Sequence, residues 1–206
     1  MKQKKITTLF LDIGGVLLTN GWDHESRNKA IAHFKLDGEE MNERHHLTFD
    51  TYEEGKLSLH EYLKRVVFYE KREFSKHDFI KFMFKQSIAH PDTIDFFKKL
   101  KKRYNLKVIA ISNEGKELNE YRIAKFKLGE LFNAFVSSSI VHLRKPDEDI
   151  FRMAAELSQT DPKHSFYIDD RLMFVEIANT LGMNGIHYKG LDTLKKELKK
   201  LGFSVD

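Results

Sequence analysis

Asp12, Ser112, Asp169 and Asp170 each stand at the end of a short apolar segment of the chain. Carboxylates that are brought together repel one another unless a cation lies among them. Oxygen ligands of this kind suit Mg²⁺, which often binds through one or two carboxylates and a substrate phosphate. An aspartate can also act as a nucleophile and form an aspartyl-phosphate. These residue types therefore favour metal-assisted phosphoryl transfer.

Two further features of the sequence suit a phosphate group. Lys145 and the hydroxyl of Ser112 are able to hold phosphoryl oxygens, and catalysis of this kind consists mostly of positioning and electrostatics. Gly14 and Gly15 follow the first of the aspartates. Glycines at such a place let backbone N–H groups approach an anion closely.

The segments that carry these residues have the pattern of buried parallel strands, because they are apolar or β-branched and end in small or acidic residues. Four runs share this pattern: residues 6–11, 106–112, 134–138 and 165–170. Apolar residues with helical spacing follow Pro91 and Pro146 and precede Gly182. The alternation predicts a doubly wound, Rossmann-like α/β fold with a parallel sheet, in which ligands bind beyond the carboxyl ends of the strands.

Residues 20–90 interrupt the alternation and contain no convincing strand. Apolar residues with helical spacing follow Ser58 and Ser75, which are suitable N-caps. The apolar positions of these two predicted helices are Tyr62, Val66 and Tyr69, and Phe79, Phe82 and Met83. The sequence therefore predicts an all-helical cap over residues 20–90, inserted into an α/β core made of residues 1–19 and 91–206.

Composition and charge argue against several classes of protein. Of the 206 residues, 41% are hydrophobic and 32% are charged, which suits a water-exposed domain with a core. No apolar run reaches the length of about 18 residues that a membrane span needs. The basic residues behind the net charge of +4 alternate with acids, as on solvated helix faces rather than nucleic-acid surfaces. The absence of cysteine and of a typical secretory signal predicts a cytoplasmic protein. The charge pattern and the short apolar runs predict neither nucleic-acid nor membrane partners.

Four short motifs occur in order along the chain. They are Phe10-Leu-Asp-Ile-Gly-Gly-Val-Leu17, Ile111-Ser-Asn113, Arg144-Lys-Pro-Asp-Glu-Asp-Ile-Phe151, and Tyr167-Ile-Asp-Asp-Arg171 continuing to Leu181-Gly-Met183. Together they resemble the motifs of the haloacid dehalogenase (HAD) superfamily of Mg²⁺-dependent phosphohydrolases, in the branch with a helical cap after the first strand. One such motif alone is weak evidence, but four in order at strand ends are strong evidence.

The resemblance implies the catalytic and metal-binding roles. Asp12 is expected to be the nucleophile and a metal ligand, and Lys145 its partner in catalysis. The backbone carbonyl of Gly14 and the carboxylate of Asp169 are expected to bind Mg²⁺, with Asp170 supporting the metal site.

The same resemblance implies a phosphate site. Ser112, Asn113 and Lys145 are expected to bind the phosphate, together with the backbone at Gly14 and Gly15. The expected partner is a small phosphorylated metabolite.

Gly14 departs from the family pattern, because phosphohydrolases of this superfamily generally carry a second Asp two residues after the nucleophile. Its carbonyl can still bind the metal, but it cannot protonate the leaving oxygen, a loss of roughly 10²- to 10⁴-fold. A good leaving group, such as an anomeric sugar oxygen, would suffer least. Asp23, His24, His45 and His46 are candidates for a replacement acid.

The leading hypothesis is a Mg²⁺-dependent phosphatase that hydrolyses a small phosphomonoester, such as a sugar phosphate, through an aspartyl-phosphate. A metal-independent haloacid dehalogenase is the alternative from another reaction class. It would leave Asp169 and Asp170 without a cation, and the aromatic residue of similar dehalogenases is absent at Gly14. A third alternative is a protein that binds a phosphorylated ligand with impaired catalysis.

Overall fold

The computed structural model describes residues 5–205. Its central sheet consists of β1 (Thr8–Leu11), β2 (Lys107–Ser112), β3 (Ala134–Ser137), β4 (Ser165–Asp169) and β5 (Asn184–His187). All neighbouring strands pair in parallel, in the order β3-β2-β1-β4-β5. The strand β1 therefore lies at the centre, between β2 and β4.

The helices fall into two groups, one between β1 and residue 90 and the other after residue 90. Between β1 and residue 90 lie α1 (His24–Phe34), α2 (Gly38–His46), α3 (Phe49–Glu53), α4 (Leu59–Val66) and α5 (Lys76–Lys85). The α-helices after residue 90 are α6 (Pro91–Tyr104), α7 (Lys116–Lys125), α8 (Ser138–Val141), α9 (Glu148–Leu157), α10 (Leu172–Thr180) and α11 (Leu191–Lys200).

Both faces of the sheet are covered by helices. Because successive strand residues point to opposite faces, Leu9 and Leu11 of β1 pack in one apolar cluster with α6 and α11. Phe10 lies in the other cluster, with α9 and α10. This two-sided burial is the reason that the strands are apolar throughout, and it confirms the doubly wound α/β fold.

Helices α1 to α5 have an apolar core of their own, which includes Tyr62 and Phe79. Ser58 and Ser75 are the N-caps of α4 and α5, and each forms a capping box with the acidic residue three positions on. The all-helical cap predicted from the sequence is thus confirmed. The sequence predicts Tyr69 in the helix after Ser58, but α4 ends at Val66. The guanidinium groups of Arg44 and Arg72 instead lie over the Tyr69 ring.

The chain leaves the core and returns to it at adjacent points. Leu18 and Ala89 form an antiparallel bridge. Next to it, the backbone N–H of Thr19 donates to the carbonyl of Ile88 over 2.8 Å. This pairing supports the proposed division of the chain into a core of residues 1–19 and 91–206 and a cap of residues 20–90.

The fifth strand was not predicted from the sequence. In β5, only Ile186 is buried, and the strand lies at the edge of the sheet next to β4. A short edge strand that buries one side chain lacks the continuous apolar run that marks the central strands. Within residues 5–205, no helix is both long and apolar enough to cross a membrane.

Candidate active site

The side chains predicted to do chemistry lie at the carboxyl edge of the three central strands. Asp12 directly follows β1, Ser112 is the last residue of β2, and Asp169 is the last residue of β4. Because β2 and β4 pair with β1 on its two sides, residues that end these strands meet at one edge of the sheet. Lys145 reaches the same place from the loop before α9.

Three carboxylates converge at this edge. Oxygens of Asp12, Asp169 and Asp170 all lie within 4.8 Å of one another. Asp12 is 8% exposed and Asp169 is completely buried. The Nζ of Lys145, itself 1% exposed, lies 3.1 Å from Oδ1 of Asp12 and 2.7 Å from Oδ2 of Asp169. With three acids and one lysine, the ionised cluster has a net charge of −2, which favours the binding of a cation.

Asp169 is held ionised by its surroundings. Its Oδ2 accepts hydrogen bonds from Lys145 and the hydroxyl of Tyr167, and its Oδ1 accepts one from the backbone N–H of Arg171 over 2.8 Å. Burial raises the pKa of this carboxyl, but the charge of Lys145 and these hydrogen bonds outweigh it, so the pKa is below its usual value. Asp169 is therefore a preformed anion at the end of β4.

Asp12 and Asp170 have fewer such partners. Burial raises the pKa of Asp12 to about 7; Lys145 opposes the shift, and the charge of Asp169 adds to it. Burial and the charge of Asp169 also raise the pKa of Asp170. Oδ1 of Asp170 is buried without a hydrogen-bond partner in the described part of the chain. A divalent cation would supply the missing partner and favour the ionised form of both groups, so the donor set fits Mg²⁺.

Gly15 makes room for this acidic cluster. It has a φ of 68°, in the left-handed region that favours glycine, and a Cβ there would collide with the carboxylate of Asp170. Gly15 thus lies against Asp170 and does not line the cavity described below.

Gly14 faces the cavity next to the nucleophile candidate. A Cβ at this position would lie 3.0 Å from Oδ1 of Asn20 and 3.9 Å from Oδ2 of Asp12. The side chain of Asn20 also donates a hydrogen bond that lowers the pKa of Asp170. The place at which the phosphohydrolases carry their second Asp is therefore bordered here by the Asn20 amide, which cannot transfer a proton as an acid.

Asn113 holds the lysine loop in place. Its Nδ2 donates to the backbone carbonyl of Lys145 over 2.7 Å, and its Oδ1 accepts from the backbone N–H of Lys145 over 2.8 Å. The Asn113 amide oxygen and one of its two N–H donors are thus engaged, which leaves one side-chain N–H for a bond to phosphate. Ser112, which is 3% exposed, lines the cavity beside it.

A cavity of about 340 Å³ opens over these residues, between the core and the cap. Its core side includes Asp12, Ser112 and Lys145, and its cap side includes Arg27 and His45. Further lining residues that were not predicted from the sequence are Trp22, Phe49, Tyr52, Glu53, Glu114, Arg122, Arg144, Arg171 and Phe174.

Two ion pairs fix the walls of the cavity. Arg144 of the core binds Glu53 of α3 in the cap, with Nη2 at 2.7 Å from Oε2. Arg122 and Glu114 form a fully buried pair, and Arg122 also donates to the carbonyl of Thr19 over 2.6 Å. Glu114 directly follows the predicted motif Ile111-Ser-Asn113, and this position just after a strand end is the signal that could have marked it.

The four candidates for a replacement acid lie in different places. Asp23 and His24 line the cavity, although Oδ1 of Asp23 caps α1 by accepting from the N–H of Ser26. His45 lines it as well, but burial lowers its pKa to about 3, so it is neutral at physiological pH. His46 is exposed and does not line the cavity.

Fold and site together define a capped α/β hydrolase. Residues 6–182 match the haloacid dehalogenase-like hydrolase family. This match covers most of the chain, and the protein belongs to that family.

Solved structures share the fold. A HAD family enzyme from Bacteroides thetaiotaomicron, in complex with magnesium and inorganic phosphate, superposes with a TM-score of 0.74 at 23% identity, over 89% of this chain and 94% of that chain. The L-2-haloacid dehalogenase from Xanthobacter autotrophicus, with chloropropionic acid covalently bound, gives 0.62 at 15% identity, over 97% of this chain and 85% of that chain. Similarity at these identities is evidence for the fold alone.

Among curated proteins, the flavin mononucleotide hydrolase 1 of Arabidopsis thaliana is 32% identical over 81 residues, which is 39% of this chain and 33% of that protein. The drimenol cyclase DrtB of Aspergillus calidoustus is 30% identical over 108 residues, which is 52% of this chain and 20% of that protein. The matching segments thus span a third or less of these relatives.

Proposed function

We propose that this hydrolase is a Mg²⁺-dependent phosphatase that acts on a small phosphomonoester through an aspartyl-phosphate. The observation that carries the proposal is the acidic cluster: three carboxylates within 4.8 Å of one another, only one of them strongly held by protein donors, and one buried oxygen of Asp170 without a partner. The described part of the chain provides no partner for this oxygen, and a divalent cation among the three carboxylates would supply one.

Asp12, Asp169 and the carbonyl of Gly14 would hold the Mg²⁺, with Asp170 supporting them. When bound, the ion would offset negative charge on the carboxylates and on the phosphoryl oxygens. The complex of the Bacteroides enzyme with magnesium and phosphate supports this choice of ion and ligand.

The chain's own residues would carry out the transfer. A carboxylate oxygen of Asp12 attacks phosphorus and forms the aspartyl-phosphate, while the bond from phosphorus to the alcohol oxygen breaks. This oxygen takes its proton from solvent water, because Gly14 supplies none. Lys145 and the Ser112 hydroxyl hold the phosphoryl oxygens and offset their charge. Water then hydrolyses the aspartyl-phosphate, which releases phosphate and restores Asp12.

Gly14 shapes the choice of substrate within this mechanism. Without an acid at this position, the departing oxygen leaves most easily when it needs little protonation, which favours leaving groups such as an anomeric sugar oxygen. Flavin mononucleotide belongs in the substrate panel because the Arabidopsis relative hydrolyses it.

The two alternatives predict different products. A dehalogenase would release halide without a metal, and solved dehalogenases share the fold, but the unpaired Asp170 oxygen has no role in that reaction. A protein with impaired catalysis would bind phosphorylated ligands without turnover. This alternative is considered because Gly14 cannot protonate the leaving oxygen.

Phosphate release from a panel of phosphomonoesters, with Mg²⁺ and with a chelator, tests the proposal. The panel should include anomeric and primary sugar phosphates and flavin mononucleotide, with chloropropionate as a halide donor. Phosphate release that needs Mg²⁺ is expected; halide release without Mg²⁺ would contradict the proposal. We also propose a cytoplasmic location and no nucleic-acid partner, on the composition of the chain.

A further inference from the structure

A chain of hydrogen bonds within the cap ends at the cavity. Trp22 Nε1 lies 3.0 Å from the hydroxyl oxygen of Tyr62, and this oxygen lies 2.7 Å from Nδ1 of His45. Tyr62 is fully buried. His45 and Trp22 both line the cavity.

The direction of these bonds follows from the chemistry of the groups. The indole N–H of Trp22 can only donate, so the Tyr62 oxygen accepts it. Within residues 5–205, the only other partner of this buried hydroxyl is Nδ1 of His45. A buried O–H without an acceptor is costly. The hydroxyl of Tyr62 therefore donates to Nδ1, and the ring proton of a neutral His45 must lie on Nε2.

The surroundings keep His45 neutral and fix its ring. Burial lowers the pKa of His45, and the charges of Arg27 and His46 lower it further. The ring stacks on Phe49, with 5.0 Å between the centroids. His45 thus offers the cavity an N–H donor in one orientation, and Nε2 makes no hydrogen bond to the described part of the chain.

Arg27 supplies a second donor on the same side of the cavity. Its Nε donates to Oδ1 of Asn42 over 3.2 Å, and its Nη1 donates to the carbonyl of Trp22 over 2.9 Å. These bonds fix the guanidinium, yet neither goes to a carboxylate, and among residues 5–205 no acid forms an ion pair with it. The acids whose charges act on it, Asp23 and Glu53, are engaged elsewhere, as the α1 cap and as the partner of Arg144.

We propose that Arg27 and the Nε2–H of His45 form a recognition site for a second oxyanion group, a carboxylate or a phosphate, on the alcohol part of the substrate. A fixed cationic fork beside a fixed neutral donor matches the oxygens of such a group. The inference rests on the proposed function, because it assumes that the phosphate to be hydrolysed lies at the Asp12 end of the cavity. Tyr62 and Trp22 are positioning residues, which act through His45.

The state of His45 can be tested without any substrate. In ¹⁵N–¹H correlation spectra of the imidazole nitrogens at neutral pH, His45 is expected to be neutral with its proton on Nε2. The variant Tyr62→Phe removes the donor to Nδ1 and keeps the ring, so the fixed preference for this tautomer should be lost. A wild-type spectrum that shows imidazolium, or a proton on Nδ1, would overturn the assignment.

Recognition can be tested with pairs of substrates that differ in one group. The first pair is the phosphates of glycerate and of glycerol, esterified at the primary hydroxyl, which differ by a carboxylate. The second is glucose 1,6-bisphosphate and glucose 1-phosphate, which share the anomeric phosphate and differ by a phosphate on the primary hydroxyl. The wild type should prefer one of the two oxyanion-bearing members by about 10-fold or more in kcat/KM, chiefly through KM. The pair that shows the preference identifies the group.

Two variants and two matched controls assign the preference. Arg27→Gln should abolish it, and His45→Gln should lower it several-fold. Arg65→Gln and His60→Gln change the same residue types at exposed positions outside the cavity, and should leave kcat/KM for each substrate unchanged. Phosphatase activity without a preference for either oxyanion, or a preference that survives Arg27→Gln, would overturn the inference and leave the proposed function intact.

The same ligands separate the two proposals if no phosphate is released. Calorimetric binding in the presence of Mg²⁺ then replaces kinetics. Tighter binding of an oxyanion-bearing member, lost in Arg27→Gln, would support the recognition site although the phosphatase proposal had failed. Equal binding within each pair, or no binding of any member, would overturn the recognition site.

Discussion

The Nζ of Lys145 lies 3.1 Å from Oδ1 of Asp12, and the same ammonium group binds Asp169. One buried lysine is thus shared by the candidate nucleophile and a candidate metal ligand. Its charge opposes the rise that burial causes in the pKa of Asp12, and it helps to lower the pKa of Asp169 below its usual value. Loss of the Lys145 charge should therefore affect both the stability of the folded protein and the proposed reaction at Asp12.

Replacing Lys145 by methionine keeps the apolar stem and removes the charge. Asp12 and Asp169 would then lack their cationic partner, and the free energy of unfolding without Mg²⁺ should fall by about 3 kcal/mol or more. Phosphate release should fall by about 10²- to 10³-fold. Urea unfolding with and without Mg²⁺ checks the first effect, and the metal should restore part of the lost stability.

The control for that variant is Lys163→Met, which breaks an exposed ion pair with Asp161. It should change stability by no more than about 1 kcal/mol and leave phosphate release unaffected. Similar stability of the two variants would contradict the role assigned to the shared lysine.

Gly15→Ala should disturb the metal site. A Cβ at this φ of 68° costs about 1–2 kcal/mol and would push against the carboxylate of Asp170. We expect Mg²⁺ affinity, measured by calorimetry, to fall by about 10-fold or more. Gly129→Ala is the matched control, because nothing lies within 4 Å of its Cβ position; unchanged Mg²⁺ affinity in Gly15→Ala would refute the proposed place of Asp170.

Gly14→Asp should restore a general acid. We expect phosphate release from poor alkyl leaving groups to rise by up to about 10²-fold, since acid catalysis contributes 10²- to 10⁴-fold and Asn20 must move slightly to make room. Release from p-nitrophenyl phosphate should change little, because that leaving group needs no proton. Gly14→Asn has the same shape without the acid, and an equal rise in this control would show that acid catalysis is not the cause.

His45 makes stability depend on pH. In the unfolded chain its pKa is about 6.5, whereas in the folded protein burial lowers the pKa to about 3. Between these values the unfolded state binds a proton that the folded state does not, so stability falls as the pH drops below about 6.5. Above that value this contribution is constant.

Comparison with His45→Gln isolates the effect. Between pH 7.5 and pH 5.5, the wild type should lose about 1 kcal/mol more free energy of unfolding than the variant. His60→Gln, which changes an exposed histidine, should follow the wild type. Parallel curves for the wild type and His45→Gln would show that His45 is not held neutral by the fold.

The central strands and the reactive residues at their ends could be predicted because each is marked by a short local sequence pattern. The apolar run before Asp12 and the runs before Ser112 and Asp169 each reflect burial on both faces of the sheet. The rule that strand ends share an edge then predicted that these residues meet. Helices α4 and α5 could be predicted because Ser58 and Ser75 mark their starts.

The features of the fold and the site that could not be predicted depend on contacts between residues that are distant in sequence. The strand β5 buries only Ile186. His45 and Tyr62 are 17 residues apart and meet only because the helices of the cap pack together. The sequence predicts that Asn113 binds phosphate. It does not show that the Asn113 side chain also holds the backbone of Lys145, because these residues are 32 positions apart and meet only in the folded chain.

The central claim is that Asp12 attacks phosphorus at a site held by the acidic cluster. Because Gly14 cannot activate water, the aspartyl-phosphate should be hydrolysed slowly and accumulate during turnover. Acid quenching of the reacting protein, followed by mass spectrometry of the peptide that contains Asp12, measures this directly. We predict one phosphoryl group on Asp12 that appears only with Mg²⁺ and is absent in Asp12→Asn; phosphate release by the wild type with undiminished release by Asp12→Asn, or a phosphoryl group on another residue, would contradict the account.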